Sequence, residues 1–396
     1  MVALGKNIVI AGGGIIGNAI AYHLAQKSIP VILIDPIGIA PAASSTAGGF
    51  LAKTWRDDTP LQVLQRLSFD LHQKMAKELG EESVGYRRLE CHSVEIDGIG
   101  MLSEKQDLEW VDRGVLGSAS MGDEEEIAQV HPKKLCEAMW EVSKSVGSKL
   151  QIGSVSRVFV KDEDHVDDII GQGTSIQAIE LSDGTKINTD NLVIACGPWT
   201  EHCREWFGEE LLLPQISAVK CHSMLIKSDR ILNQAVFFEG DNDIGEADVE
   251  VYPRPDGDAY VNGYQGEEQI ISELPGEVKV DLDTIEQLKN AMKRTSSELG
   301  EIEPHTTHAC YWPETSDGLP IIGPIPGVKG AFVATGHSVW GILNSAATGL
   351  AMSELLLDGE SKSVDLSAFG IERFLEFDYD FVFDGENERL DEDGMK

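Results

Sequence analysis

An α/β fold with a doubly wound opening is predicted by three observations at the start of the chain. KNIVIA (residues 6–11) is an apolar run rich in β-branched residues. AGGGIIGNAIAYHLAQKS then changes to a helical period, with Ile16, Ile20 and Leu24 on one face. PVILID returns to strand character and ends on Asp35. Strand, glycine turn, helix and strand follow one another within about 30 residues, as such folds begin.

The later elements follow from the same rules. TPLQVLQRLSFDLHQKMAKELG predicts a helix over Thr59–Gly80, with Thr-Pro as its start and Gly80 as its stop. YRRLECHSVEID alternates as a strand, and HPKKLCEAMWEVSKSVG is a helix stopped by Gly147. Strands are expected around SKLQI, SRVFV, SIQAIEL and LVIACG, with DGT as a hairpin turn. Residues 215–280 read as strands between Pro, Gly and Asp turns, and Asp281–Gly300 as an exposed helix. HACYWPETSDGLPIIG (308–323) mixes aromatics, one cysteine and turn residues ahead of a short apolar strand. KGAFVATG adds a strand, and a helix of small residues runs from Trp340 to Leu357. Residues 376–396 read as an acidic C-terminal tail.

The 396 residues carry a formal net charge of −35. So negative a field repels nucleic acid and anionic membrane surfaces, and neither is expected as a partner. No apolar run approaches the roughly 18 residues of a membrane span, and no signal core precedes the first strand. The six cysteines form no CxxC pair and no zinc spacing, so reduced thiols are expected and no metal site. A cytoplasmic chain, monomer or homo-oligomer, is the expectation.

Gly12-Gly13-Gly14-Ile15-Ile16-Gly17 matches G-x-G-x-x-G in its proper setting. Gly12, Gly14 and Gly17 permit the tight turn and let backbone amides meet a pyrophosphate at a helix N-terminus. Asp35, 23 residues beyond Gly12, is placed to accept from ribose hydroxyls. Ala42–Phe50 (AASSTAGGF) suits close approach of a second phosphate and a flat ring, and KGAFVATGHSVWGILNSAATG repeats the strand–turn–helix arrangement at the other end of the chain. Two ends enclosing one extended dinucleotide favour a buried FAD over a diffusible NAD.

GGGIIG, Asp35, SSTAGG, the HPKKLCEAM helix, LVIACGPW, TSDGLPIIGPIPG and ATGHSVWGILNSAATG together resemble the FAD-dependent superfamily of D-amino acid oxidase, glycine oxidase and sarcosine oxidase. The resemblance covers nearly the whole chain. It implies a Rossmann-like, glutathione-reductase-like FAD domain from residues 1–82, 131–214 and 305–375, and a substrate domain with a mostly antiparallel sheet from 83–130 and 215–304. By position it implies FAD contacts at Gly12, Gly14, Gly17, Asp35, Ser44, Ser45, Gly49, Val155, Gly197, Gly336, Gly341, Ile342 and Leu343.

Where amino-acid-oxidising relatives carry an arginine before the proline of the 308–323 segment, this chain has Trp312, which has one donor and no charge. Arg254 is either a carboxylate partner from the substrate sheet or a turn arginine facing solvent. Arg87 and Arg88 are adjacent on a strand, so one points inward. Cys310 lies seven residues before Asp317, the position at which sarcosine-oxidase-like members attach flavin covalently; the other reading is an inert packed thiol. His337 is either a positive partner for the flavin ring or a histidine satisfied at a helix start, and Lys53 lies near the ring or in solvent.

The function implied is an FAD-dependent oxidase of a primary or secondary amine or an N-substituted amino acid. Hydride passes to flavin N5, O2 is the acceptor, and an imine and hydrogen peroxide result. His337, Trp312, Tyr252 and Arg254 are the expected positioning groups. The alternatives are a dehydrogenase with another acceptor, and a flavoprotein whose structural FAD supports partner binding.

Overall fold

IVIA, ILID and NLVI are buried on both faces, and the computed structural model shows why. It describes residues 7–97, 100, 108–162, 173–208, 213–240, 249–264, 266 and 269–374. The six-stranded sheet runs in the order Ile321–Pro324, Ala331–Thr335, Asn191–Ile194, Ile8–Ala11, Ile32–Asp35, Lys149–Ile152. All neighbours are parallel except the first pair. Along Ile8–Ala11, Ile8 and Ile10 enter one apolar cluster while Val9 and Ala11 enter another. A parallel strand covered on both sides reads as an unbroken apolar run for this reason.

One face is covered by the helices Ile15–Ala25, Gln62–Leu79, Pro132–Ser145 and Gly341–Asp358. The small residues of the last helix have a steric cause: a Cβ at Gly349 would lie 2.6 Å from the backbone of Ala19. The other face is covered by strands Val155–Asp162, Thr174–Leu181 and Lys186–Asn188, with Cys203 of the 3-10 helix Gly197–Phe207 in the same cluster. The α-helices therefore cover one side of the sheet only. The DGT turn is present, with Gly184 at φ +84 and the Leu181 amide donating to the Thr185 carbonyl at 2.9 Å.

The second sheet has seven strands, in the order Thr306–Glu314, Ser217–Lys227, Asp258–Gly263, Val249–Pro253, Gln234–Gly240, Glu90–Ile96, Val115–Gly122. Only the pairing of Gln234–Gly240 with Glu90–Ile96 is parallel. One of its faces buries Met224, Val236, Val251 and Val261 against Ile285, Leu288 and Met292. The other turns toward the first sheet and carries Cys91, Ala235, Tyr252 and Tyr260.

Several expectations are corrected. The helix expected from Thr59 starts at Gln62, because the Thr59 carbonyl and hydroxyl take the Gln62 and Leu61 amides in a turn. The helix expected over Asp281–Gly300 is Leu282–Thr295, capped by the Asp281 side chain, and it is half buried, not exposed. Residues 306–314 form a full strand of the second sheet, although the sequence placed them with the first unit. The acidic tail at 376–396 lies outside the described residues. Among the described residues no helix is long and apolar enough to cross a membrane, and no group of three or more His, Cys, Asp or Glu is placed to hold a metal.

Candidate active site

The N-terminal turn is built by steric necessity. Gly12 sits at φ +114, and a Cβ there would fall 2.2 Å from the Ala195 carbonyl oxygen. A Cβ at Gly17 would fall 2.0 Å from the Gly12 carbonyl, so the helix starts hard against the turn. The Ile15 amide of that helix start donates to the Ser44 hydroxyl at 2.8 Å. Asp35, buried at the end of its strand, accepts from the amides of Gly13, Ile37 and Gly38 at 2.9, 2.8 and 2.9 Å. Burial pushes its carboxyl pKa up against these three donors. A carboxylate has about four acceptor sites, so one remains for a further donor.

Between the two sheets lies a cavity of about 830 Å³, within the roughly 300–1,000 Å³ of small-molecule sites. Both ends of the chain reach it. Of the residues expected from the sequence, Gly12, Gly14, Asp35, Ser44, Gly49, Val155, Gly197, Cys310, Gly341 and Ile342 line it, as do His337, Trp312 and Tyr252. Gly17, Ser45, Gly336, Leu343 and Arg254 do not. Gly17 packs against the turn, and Ser45 donates to the Ala42 carbonyl. Gly336 holds φ +73, where a Cβ would meet the Thr315 methyl at 2.7 Å, and the Leu343 carbonyl faces Ser68 and His72.

Arg254 is neither solvent-facing nor in the wall. It is 4% exposed, donates to the Ala47 carbonyl at 3.0 Å, and lies 5.4 Å from the Tyr260 ring centroid. It braces the small-residue stretch from behind. His337 lines the cavity with Nε2 3.0 Å from the Thr348 hydroxyl, and burial lowers its pKa to about 3. The ring is neutral at physiological pH, so it supplies no positive charge. Lys53 pairs with Asp70 at 2.8 Å outside the cavity wall. Arg87 reaches Asn233 and the Pro253 carbonyl, and Arg88 the Glu124 and Glu125 carbonyls; both are structural.

Four residues of the second sheet form a patch facing the cavity. Glu250 pairs with Asn262 and Tyr252 with Tyr260 across adjacent strands, and all four line the wall. The Tyr252 hydroxyl donates to Glu250, and Asn262 Nδ2 donates to it at 3.3 Å. The Tyr252 ring stacks on Phe50 at 5.0 Å and on Tyr260 at 5.8 Å. A Cβ at Gly48 would meet the Tyr252 ring at 2.3 Å, which explains part of the small-residue stretch. Trp55, Phe237 and Trp340 complete an aromatic wall. Glu250, Asn262, Tyr260 and Cys221 were missed on the sequence. VEVYP and DAYVNG put Glu250 with Tyr252, and Asn262 with Tyr260, on single faces two residues apart, so the signal was present for three of them.

These features fit FAD. A turn without side chains opens at a helix start beside Asp35, and the cavity runs from there to the second sheet. The indole N–H groups of Trp312 and Trp340 are buried with no partner. Unsatisfied donors in a cavity wall are unfavourable until a ligand meets them.

A family model described as FAD dependent oxidoreductase matches residues 7–355. An oxidoreductase-like protein of Schizosaccharomyces pombe is 31% identical, over 94% of this chain and 99% of its own. A glycine oxidase of Bacillus licheniformis is 24% identical, over 92% of this chain and 96% of its own. Among solved structures, glycine oxidase from Geobacillus kaustophilus superposes with TM-score 0.72 at 21% identity, over 92% of this chain and 98% of its own. L-proline dehydrogenase from P. horikoshii superposes with TM-score 0.74 at 18% identity, over 94% and 98%. These superpositions show the fold.

Proposed function

The chain belongs to the family of FAD dependent oxidoreductases, and from that premise we propose that it oxidises the CH–NH bond of a primary or secondary amine that carries no carboxylate beside the nitrogen. The charge of the cavity wall carries this reading. Glu205, Glu250 and Glu273 line the cavity, and among the described residues no lysine or arginine does. An α-amino acid would bring its carboxylate among acids with no guanidinium to pair with, at a cost of several kcal/mol for the desolvated charge. An ammonium meets the opposite conditions. Glycine oxidase and L-proline dehydrogenase are named for substrates that carry both groups, and the amine is the part this cavity suits.

Gly12, Gly14 and Ser44 would hold the pyrophosphate end of FAD, Asp35 a ribose hydroxyl, and Gly341 and Ile342 the far end. The chemistry FAD supplies when bound is acceptance of the two electrons of the C–H bond and their delivery to O2 as hydrogen peroxide. Glu250 binds the substrate nitrogen and fixes its carbon in one orientation, itself fixed by Tyr252 and Asn262. The bound ammonium passes its proton to the Glu250 carboxylate before the C–H bond breaks. Phe50, Trp55, Phe237 and Tyr252 exclude water from the reacting carbon. Neutral His337 adds no charge that would repel the ammonium, and the imine product is hydrolysed after release.

The test is O2 uptake by purified, flavin-containing protein given a panel of primary and secondary amines and their α-carboxylated counterparts. One hydrogen peroxide per O2 with amines is expected. Turnover confined to the α-amino acids would overturn the reading, and flavin reduction by amines without O2 uptake would replace the acceptor.

A further inference from the structure

The six cysteines are scattered along the sequence, but the fold sets two of them opposite each other. Cys221 and Cys310 are register partners on the antiparallel strands Ser217–Lys227 and Thr306–Glu314, with their sulfurs 3.2 Å apart. Directly opposed residues of an antiparallel pair hold their Cα atoms about 4.5–5.5 Å apart, inside the roughly 4.4–6.8 Å that a disulfide spans. Closing the bond needs the sulfurs to approach by only about 1 Å. Cys91, Cys136 and Cys203 belong to the apolar clusters of the core. Cys221 and Cys310 belong to none of these clusters; both line the cavity, and each is 7% exposed.

We propose that Cys221 and Cys310 are a redox-active dithiol in the cavity wall, closed to a disulfide by a peroxide. Cys310 gives up its thiol proton, its thiolate attacks one oxygen of hydrogen peroxide, the O–O bond breaks, a sulfenic acid forms, and the hydroxide that leaves takes up that proton as one water. The Cys221 sulfur then attacks the Cys310 sulfur, the S–O bond breaks, a second water leaves with the Cys221 proton, and the S–S bond forms. Two electrons pass from the sulfurs to the peroxide. The order follows from the local chemistry. The Cys221 thiol and the Thr46 hydroxyl hydrogen-bond to the Cys310 sulfur and hold its pKa below the usual thiol range, while the same contact pushes the Cys221 thiol up. Cys310 is the attacking sulfur and Cys221 resolves it. The bond would tie together two strands whose bridged residues are 89 positions apart, beside Trp312 on the same strand face. The site stands whether or not the protein itself generates the peroxide.

The experiment treats the purified full-length, flavin-containing protein with hydrogen peroxide, alkylates free thiols, and maps the peptides by mass. The expected result is one cross-linked peptide pair joining Cys221 to Cys310, lighter by two hydrogens and reversed by dithiothreitol. A rise in Tm of about 5 °C should accompany it, since the bond closes a long loop. In Cys221→Ser, where the resolving sulfur is absent, dimedone should label Cys310. Both thiols still alkylated after peroxide would overturn the proposal. So would a disulfide only between Cys196 and Cys203, which also lie in contact, or a dimedone label absent from Cys310 in the variant.

Discussion

Glu250→Gln tests the amine reading at a single atom. Glutamine keeps the volume and an oxygen for the Tyr252 hydroxyl, so the aromatic stack and Asn262 stay in place. What is lost is the charge. A hydrogen bond to a charged group contributes about 1.5–3 kcal/mol, against roughly 1 for a neutral pair. With the Coulombic attraction of a partly desolvated ion pair added, a loss of about 2 kcal/mol follows, or roughly a 30-fold weaker affinity for the ammonium. The assay is anaerobic rapid mixing, in which the concentration dependence of flavin reduction yields an apparent Kd and a limiting rate. The Kd should rise about 30-fold while flavin content and Tm stay at wild-type values. A Kd within threefold of wild type would refute the role of Glu250, because no other change in the wall accompanies the substitution.

Trp312→Arg places a cation in a cavity wall that has no lysine or arginine among the described residues, and it should improve flavin reduction by simple α-amino acids at least tenfold in apparent Kd; no gain would remove Trp312 from the carboxylate argument. Asp35→Ala strips the buried Gly13 amide and the part-buried Ile37 and Gly38 amides of their acceptor, at roughly 1–3 kcal/mol for the buried one and less for the others, and the purified protein should carry less than stoichiometric flavin and melt lower. Gly12→Ala drives a methyl into the Ala195 carbonyl at a backbone angle that alanine resists, at a cost of roughly 3 kcal/mol or more, with loss of bound flavin as the readout. His23, His72 and His337 are buried with pKa values lowered from 6.5 to about 4, about 4 and about 3. The folded state thus binds fewer protons than the unfolded chain between those values and 6.5, and stability falls as pH drops through 6.5, by up to about 2 kcal/mol per histidine at pH 5. A Tm unchanged between pH 7.5 and pH 5 would contradict their neutral state.

What the sequence made legible was local. GGGIIG, Asp35 and the apolar runs each carry their signal in adjacent residues, and the strand–turn–helix that they predict is present. The limits came from pairing. Nothing near HACYWPE shows that it hydrogen-bonds to a strand almost 90 residues earlier, so the Cys221–Cys310 pair and the unit to which 306–314 belongs were hidden. The covering layer on the second face of the parallel sheet was hidden for the same reason: an apolar strand buries both faces whether helices or strands cover it. His337 and Arg254 show a different limit. Their neighbours in sequence suggested a charged contact with a ligand, while burial removed the charge from one and turned the other toward the Ala47 carbonyl. Glu250 was within reach, since it shares a strand face with Tyr252.

The most direct test of the account is anaerobic mixing of the purified, flavin-containing protein with one amine and with the same amine bearing an α-carboxylate. The visible flavin absorbance should bleach with the amine and stay with the amino acid at equal concentration. Bleaching by the amino acid with none by the amine would contradict it, and would mean that a cation outside the described wall receives the carboxylate.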